Sequence, residues 1–369
     1  MAHTVFVGLS GGVDSAVSAA LLKEQGHTVV GVFIKIWQPE FIECTWQRDR
    51  LDAMRVAAAL SIPFKEIDLS EVYKNDVVEK MIASYRAGET PNPDVLCNRS
   101  IKFGAFATWA REQGADVVAT GHYAQIKNGE RGAELWRGTD VSKDQSYFLY
   151  QLNERDLSCA AFPVGAMTKK QVRAYAGAHA LPVAQKPDSQ GLCFVGDVSM
   201  RDFLKRFIIV EEGKVTDKKG HLIGVHEGAA LYTVGQRHGF NITKPQLAKT
   251  QHYVVAVDTK NNVVVVSTER TGAERPGVVV SGMHWISGRA PSFLTGLYAQ
   301  TRYREKPVAV KIRSENGQVC VDFSHPHVVS PGQSIVIYDG EKCLGGGPIG
   351  NSISQGVHSA SEERTKALQ

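Results

Sequence analysis

An apolar run from Thr4 to Leu9 gives way to Ser10-Gly11-Gly12-Val13-Asp14-Ser15, and apolar residues then recur at helical spacing from Ala16 to Gln25. β-Branched residues, then small residues, then a three-to-four period predict a strand, a tight loop and a helix N-terminus. The first backbone N–H groups of a helix have no partner inside it and lie at the positive end of its dipole, so the loop is a predicted anion site. Gly11 and Gly12 let the backbone approach a ligand closely, and Ser10 and Ser15 add hydroxyl donors. The loop lacks the lysine of G-x-x-x-x-G-K-[ST] and the spacing of G-x-G-x-x-G, so neither common phosphate motif fits. A ligand-free Gly/Ser turn is the alternative.

The 369-residue chain exceeds a typical single core, which predicts two or three domains. With 43% hydrophobic and 22% charged residues, it is excluded from the disorder-dominated classes. The net charge of +4 is compatible with a polyanionic partner, but an ordinary solvated surface gives the same value. Met1-Ala2-His3 leads straight into the first strand, with neither an apolar leader nor, later, an 18-residue apolar run, so a cytoplasmic protein is expected. The six cysteines, at 44, 97, 159, 193, 320 and 343, form no C-x-x-C pair and no dense framework. Reduced thiols are expected, and any disulfide is more naturally catalytic than structural.

Strands are predicted at Thr28 to Ile34, Phe64 to Leu69 and Ala115 to Thr120, and helices at Arg48 to Leu60, Glu71 to Ala87, Ser100 to Gln113 and Lys169 to His179. Alternation of this kind implies a parallel sheet whose ligands lie beyond the carboxyl ends of its strands. Ile34 would then wall an adenine pocket or simply be core, and Gly121-His122-Tyr123 would lie on the same edge. In Asn92-Pro93-Asp94-Val95-Leu96-Cys97-Asn98 the prolines predict a stiff loop that carries Asp94 and Cys97 up to a helix start, where the dipole favours a thiolate. A buried, inert cysteine is the other reading. Ala124 to Gly138 reads as a hairpin around Asn128-Gly129, and Lys143 to Leu149 as a polar cluster opening an aromatic helix. Asp188-Ser189-Gln190-Gly191-Leu192-Cys193-Phe194 is a second loop presenting a cysteine. From about Arg206 short strands and Gly-rich turns take over, and Gly345-Gly346-Gly347-Pro348 reads as a turn or bulge. The expected division is a catalytic domain at 1–205, a small β-rich domain at 206–271, a β-barrel at 272–353 and a polar tail at 354–369.

The glycine loop resembles the pyrophosphate loop of the N-type ATP pyrophosphatases. Together with Asn92-Pro93-Asp94, Cys97-Asn98, Thr120-Gly121-His122-Tyr123, Lys143-Asp144-Gln145-Ser146-Tyr147-Phe148-Leu149, the Cys193 loop and Thr301-Arg302-Tyr303-Arg304, in this order along nearly the whole chain, it is similar to the tRNA-specific 2-thiouridylases. That resemblance implies a parallel, doubly wound α/β ATP-pyrophosphatase domain followed by a small central β-rich domain and a C-terminal β-barrel. It implies ATP, with Mg2+, as co-substrate and no tightly bound cofactor or metal. The implied reaction is replacement of the C2 oxygen of the tRNA wobble uridine by sulfur, through adenylation of that oxygen and sulfur transfer from a cysteine persulfide.

By this resemblance Gly8, Leu9, Ser10, Gly11, Gly12, Val13, Asp14, Ser15, Ile34 and Gly121 bind ATP. Asn92, Pro93 and Asp94 contact the target base, Asp94 being also a general acid/base, although Pro-Asp is ordinary turn chemistry as well. Cys97 is the implied nucleophile and Cys193 the persulfide carrier, with a transient Cys97–Cys193 disulfide. Lys143, Asp144, Gln145, Arg302 and Tyr303 contact tRNA. The implied partners are glutamate, glutamine and lysine tRNAs and a persulfide donor such as a cysteine desulfurase or a sulfur-relay protein. The segment Trp37 to Trp46 is compact for the family's lid-like region. The rivals are another adenylating synthetase or amidotransferase, which needs ammonia delivery but no thiol pair, and an RNA-binding module that turns over no ATP.

Overall fold

The computed structural model describes residues 2–42, 46–188, 198–292, 296–315 and 317–350. Cys44, Cys193 and all of the Asp188 to Phe194 loop but Asp188, with the expected disulfide and the 354–369 tail, lie outside them.

The organising strand is β1 (Thr4–Gly8), whose Val5, Phe6 and Val7 are at most 2% exposed. A strand buried on both faces reads as an unbroken apolar run, the mark of a central parallel strand. It pairs in parallel with β2 (Thr28–Lys35), which in turn pairs with β3 (Phe64–Asp68). On its other side lies β4 (Val117–Ala119). A hairpin of β5 (Ala124–Gly129) and β6 (Gly132–Arg137) then leaves this sheet, and β7 (Ala160–Ala161) returns to it, giving the order β3-β2-β1-β4-β7. The chain reverses direction across the sheet between β1 and β4, and ligands bind at such switch points. Phe6 packs into the core on one face, and Val5 and Val7 into that on the other. Burial of each such side chain stabilises the fold by about 1.5–3 kcal/mol.

Helix α1 (Val13–Glu24) follows β1 and buries Val13, Ala16, Val17 and Ala20 beside the Lys169–Ala178 helix. A second sheet, order β10-β9-β8-β12-β11, is built from β8 (Gly213–Thr216), β9 (Leu222–His226), β10 (Phe240–Ile242), β11 (Tyr253–Asp258) and β12 (Val263–Ser267). Its Val215, Ile223, Val254 and Val264 belong to the same continuous core as Phe6, Met81 and Phe106 of the first domain. The remaining strands, between Glu274 and Pro348, form the third sheet. Its last strand also takes in the hairpin, Lys342 lying opposite Trp136 and Cys343 opposite Leu135. The chain of the first domain is therefore tied to the third sheet by backbone pairing. No helix among the described residues is long and apolar enough to cross a membrane.

Three local expectations need correction. The loop expected to carry Asp94 and Cys97 is helical: Pro93–Leu96, Cys97–Ala105 and Phe106–Glu112 are continuous, with Asn92 as N-cap and its side chain accepting from the Val95 N–H at 3.4 Å. Proline breaks a helix interior but suits its first position, where its missing N–H is no loss. The aromatic helix after Lys143 is a single 3-10 turn, Ser146–Phe148. The turn of the 124–137 hairpin falls at Glu130-Arg131, not at Asn128-Gly129, which pair with Ala133 and Gly132. The bulge reading of Gly345-Gly346-Gly347-Pro348 holds, the segment lying in a paired strand, Lys342–Pro348, beside a register shift. A Cβ at Gly346 would come within 3.0 Å of the Tyr150 ring, so glycine serves close packing there rather than a turn.

Candidate active site

Gly12 caps α1 in an extended conformation (φ −99°, ψ 163°) and has no side chain to satisfy the helix's first N–H groups. Those donors are left to a ligand. Gly11 has φ +73°, and a Cβ on it would overlap the Asp49 carbonyl oxygen of helix Trp46–Ala59. The Ser15 hydroxyl donates to the Gly12 carbonyl at 3.1 Å and lies 3.3 Å from the Ser10 hydroxyl, which closes the loop on itself. Leu9 donates its N–H to Val32 at 2.7 Å, fixing the end of β1 against β2. Ile34 Cδ1 lies 3.7 Å from where a Gly8 Cβ would stand, so these two candidates share one wall. Gly121 packs onto the start of α1, where an added Cβ would be 2.8 Å from the Ser15 nitrogen. The candidate nucleotide residues thus form one contiguous surface at the switch point.

Asp14 accepts the Tyr123 hydroxyl at 2.7 Å and the Lys169 ammonium at 2.7 and 2.9 Å. Lys169 also pairs with Asp188 at 2.8 Å, and Asp188 binds Lys143 at 2.8 Å and Arg173 at 2.6 Å. Those hydrogen-bonded cations outweigh burial and hold the Asp188 carboxyl far below the usual carboxylate range, while burial and the Asp14 charge push the Tyr123 phenol up. Lys169, which sequence reasoning missed, begins a helix capped by Thr168 and Gln171. A cation is unfavourable at a helix N-terminus, and that misplaced charge was the available signal.

The 93–112 helix carries the second half of the site. Asp94 is half-buried, and burial pushes its carboxyl above the usual range although the charge of Lys102 opposes this. Cys97 is half-buried and is the fifth helical residue, past the first turn where the dipole acts. The expected dipole effect on the thiol is therefore weak, and Arg99 and Lys102, two and five positions on, are the nearest cations of the same helix. His122 is 6% exposed, lies 2.7 Å from the Thr120 hydroxyl and 3.4 Å from Lys102 Nζ, and is held well below its ordinary pKa by burial and that ammonium.

The residues expected to meet tRNA divide into two kinds. Asp144 is 7% exposed and salt-bridged to Arg137 at 2.8 Å, and Gln145 exchanges hydrogen bonds with the Tyr123 backbone at 2.8 and 3.0 Å. Both shape the loop beneath Lys143. Arg302 and Tyr303 lie in a turn rather than a strand, and the Tyr303 ring packs on Phe148 with centroids 4.5 Å apart. Arg302 donates to the Val234 carbonyl of the central domain at 3.2 Å. The Phe148 carbonyl accepts from Asn98 at 3.1 Å, and Asn92 bonds the Tyr147 hydroxyl. The barrel turn therefore abuts the Asn92–Asn98 segment. Among the described residues no group of three or more His, Cys, Asp or Glu is arranged to hold a metal ion.

Three family models match in succession: a tRNA methyl transferase HUP domain over residues 3–197, a tRNA methyl transferase PRC-barrel domain over 201–268, and an aminomethyltransferase beta-barrel domain over 275–349. The tRNA-specific 2-thiouridylase MnmA of Nitrosomonas eutropha is 42% identical, the match covering 95% of this chain and 99% of that protein. The same enzyme of Akkermansia muciniphila is 43% identical over 93% of this chain and 97% of its own. That of Thiobacillus denitrificans is 43% identical over 95% and 100%. Among solved structures, the U34-tRNA thiolase NcsA from Methanococcus maripaludis matches 56% of this chain and 64% of its own at 17% identity and a TM-score of 0.35, a faint likeness.

Proposed function

The chain belongs to the tRNA-specific 2-thiouridylase family, whose members are tRNA-uridine 2-sulfurtransferases, and from that premise we propose how its residues carry out the thiolation. The methyl-transfer wording of two matched models names a different reaction, but the relatives that span the whole chain are thiouridylases. ATP binds with its phosphates on the Gly8 to Ser15 loop and its adenine against Ile34 and Gly121. Asp14 is the carboxylate that would approach a magnesium ion carried on the phosphate oxygens, and such an ion would neutralise phosphate charge.

The uracil O2 attacks the α-phosphorus; the O2–P bond forms, the bond to the β-phosphoryl oxygen breaks, and pyrophosphate leaves. Asp94, made more basic by burial, takes the N3 proton as O2 attacks and returns it once sulfur is in place. The Cys97 thiolate attacks the inner sulfur of the Cys193 persulfide. A Cys97–Cys193 disulfide forms as the outer sulfur leaves as hydrosulfide, reduced by the two electrons that the cysteines give up. Hydrosulfide attacks C2, the C2–O2 bond breaks, and AMP departs. A persulfide donor, such as a cysteine desulfurase or relay protein, reloads Cys193 after a thiol reductant has opened the disulfide.

A wobble base lies in a single-stranded loop, from which it can be splayed out and read on its edges. Asn92, Pro93 and Asp94 are proposed to meet it, while Lys143, Arg302 and Tyr303 hold the surrounding RNA and Asp144 and Gln145 position Lys143. Glutamate, glutamine and lysine tRNAs are the proposed substrates and the cytoplasm the proposed compartment. The observation that carries the mechanism is that one helix bears Asp94 and Cys97 and is reached both by His122, which borders the nucleotide loop, and by the Phe148–Tyr303 pair. The test is incubation with unmodified tRNA, ATP, magnesium and a persulfide source, with 2-thiouridine and AMP followed by mass spectrometry. Cys97→Ser is expected to bind ATP and form no 2-thiouridine; thiolation retained by that variant refutes the role of the thiol.

A further inference from the structure

We propose that Lys102 is a further catalytic residue of this site: its ammonium takes the negative charge that builds on the α-phosphoryl group and on the uracil O2 as their bond forms and later breaks. This rests on the adenylation reading above. Lys102 sits in the stretch Cys97–Ala105, where the helix widens and the Phe106 N–H bonds back to the Ile101 carbonyl, five residues away. Widened turns of this kind are uncommon and recur at functional sites. Gly104 permits this one, since a Cβ there would lie 2.7 Å from the Arg99 carbonyl oxygen. The wider turn brings Lys102 Nζ to 3.4 Å from His122 Nε2.

His122 remains neutral, so it accepts from the ammonium through Nε2 while Nδ1–H serves the Thr120 hydroxyl 2.7 Å away, a tautomer assigned from the bonding pattern. A neutral imidazole orients the ammonium without cancelling its charge. Among the described residues Lys102 joins no ion pair, in contrast to Lys143, Lys169 and Lys186, each of which is bound to a carboxylate. A half-buried cation with no carboxylate bound to it is poised for an anion that arrives with the substrate.

The location identifies that anion. On one side the Thr120 carbonyl accepts from Ser18 of α1 at 3.5 Å, and Gly121 touches the Asp14–Ser15 backbone of the phosphate loop. On the other side, along its own helix, the charge of Lys102 is felt by Asp94. A group that is joined at once to the nucleotide and to the base lies between these two sides, and the α-phosphoryl is that group. Lys102 moves no proton. Its N–H groups bind the non-bridging oxygens and O2 more strongly as charge accumulates on them, in a site where water is largely excluded.

Loss of one such donor typically costs about 10²–10³-fold in rate. The experiment follows first-turnover pyrophosphate release by the full chain with unmodified tRNA, ATP and magnesium and no sulfur donor. If the wild type releases none, the adenylation reading itself fails. If it does, Lys102→Met is expected to be slowed about 10²–10³-fold, with ATP and tRNA dissociation constants within about threefold of wild type. Lys102→Arg is expected to recover at least a tenth of the lost rate. Lys102→Gln keeps a hydrogen-bonding partner for His122 without the charge, and it carries the test if the Met variant fails to fold; it is expected to be as slow as Lys102→Met. Wild-type rates in either neutral variant, or a loss confined to tRNA affinity, overturn the proposal.

Discussion

Gly11→Ala and Gly12→Ala, equivalent on paper, are expected to differ by about sixfold or more in local stability. Gly11 adopts φ +73°, a region that costs an L-residue about 1–2 kcal/mol, and its added methyl would strike the Asp49 backbone, for which overpacking adds about 1–3 kcal/mol. The sum is about 2–5 kcal/mol. Gly12 has an extended backbone, and its methyl would meet only the Ser10 hydroxyl oxygen at 3.4 Å. What remains there is the poorer capping of alanine relative to glycine, about 1 kcal/mol or less. The chain has several domains, so a single melting temperature is not the proper measure. Amide hydrogen exchange at Ala16, whose N–H makes the first hydrogen bond of α1, and in the turn that follows reads the local opening directly. Protection is expected to fall about 30-fold or more in Gly11→Ala and about fivefold or less in Gly12→Ala. ATP affinity is expected to weaken in both, since either methyl crowds the donors, so affinity is not the discriminating readout. Equal exchange in the two variants would falsify the loop geometry on which the nucleotide site is built.

Lys169→Met removes the cation bound to Asp14 and leaves that carboxylate to repel an incoming triphosphate, while Asp188 keeps Lys143 and Arg173; KM for ATP, read from AMP formation, is expected to rise at least about tenfold, with Lys169→Arg close to wild type. His122 has a folded pKa below its unfolded value of about 6.5, so the unfolded chain binds the extra proton first. Acidification below that value should then cost up to about 1.4 kcal/mol per pH unit until the folded pKa is reached, and His122→Gln should abolish that part of the slope in urea titrations from pH 7 to 5. Tyr303→Ala is expected to weaken tRNA binding by about 1–3 kcal/mol, the range for loss of a stacking ring, with Tyr303→Phe and ATP affinity unchanged; fluorescence anisotropy with labelled anticodon stem-loops checks both.

The phosphate loop was legible in the sequence because strand, glycines and helix are consecutive residues whose partners lie within one or two turns. The helix start at Pro93 was misread because proline signals a break in a helix interior and a beginning at its first position, and only the capping contact of Asn92 with Val95 separates the two. The charge of Lys169 at a helix start was legible, but its role was not, because its partner Asp14 lies 155 positions away, a separation no local pattern spans. The hairpin at 124–137 was readable from its alternating apolar positions although its turn is Glu130-Arg131 rather than Asn128-Gly129, but its docking onto Lys342 and Cys343 was not, since edge pairing is a property of distant segments. Asp144 shows a further limit. A motif next to substrate holds both residues that touch it and residues that brace them, and only burial tells them apart.

The same distinction bears on the two β-rich domains, which otherwise look like accessories to an ATP-binding core. The segment leading into the 93–112 helix is gripped from both: Thr90 donates its N–H to the Pro331 carbonyl of the barrel at 2.8 Å and shares a 2.9 Å hydrogen bond with Thr233 of the central domain. Gly332 packs so tightly that a Cβ there would stand 2.9 Å from the Thr90 nitrogen, and a Cβ at Gly88 would lie 3.1 Å from Thr259. The position of Asp94 relative to the phosphate loop is thereby set by contacts that the first domain does not make by itself. Adenylating a base requires O2 and the α-phosphorus at bonding distance, and an error of 1 Å costs rate steeply. On this argument the β-rich domains frame the proposed chemistry as well as the proposed RNA contacts: Arg302 and Tyr303, proposed to hold the RNA, are built on the same scaffold that positions Asp94, so an RNA seated out of register would satisfy neither its backbone contacts nor its base.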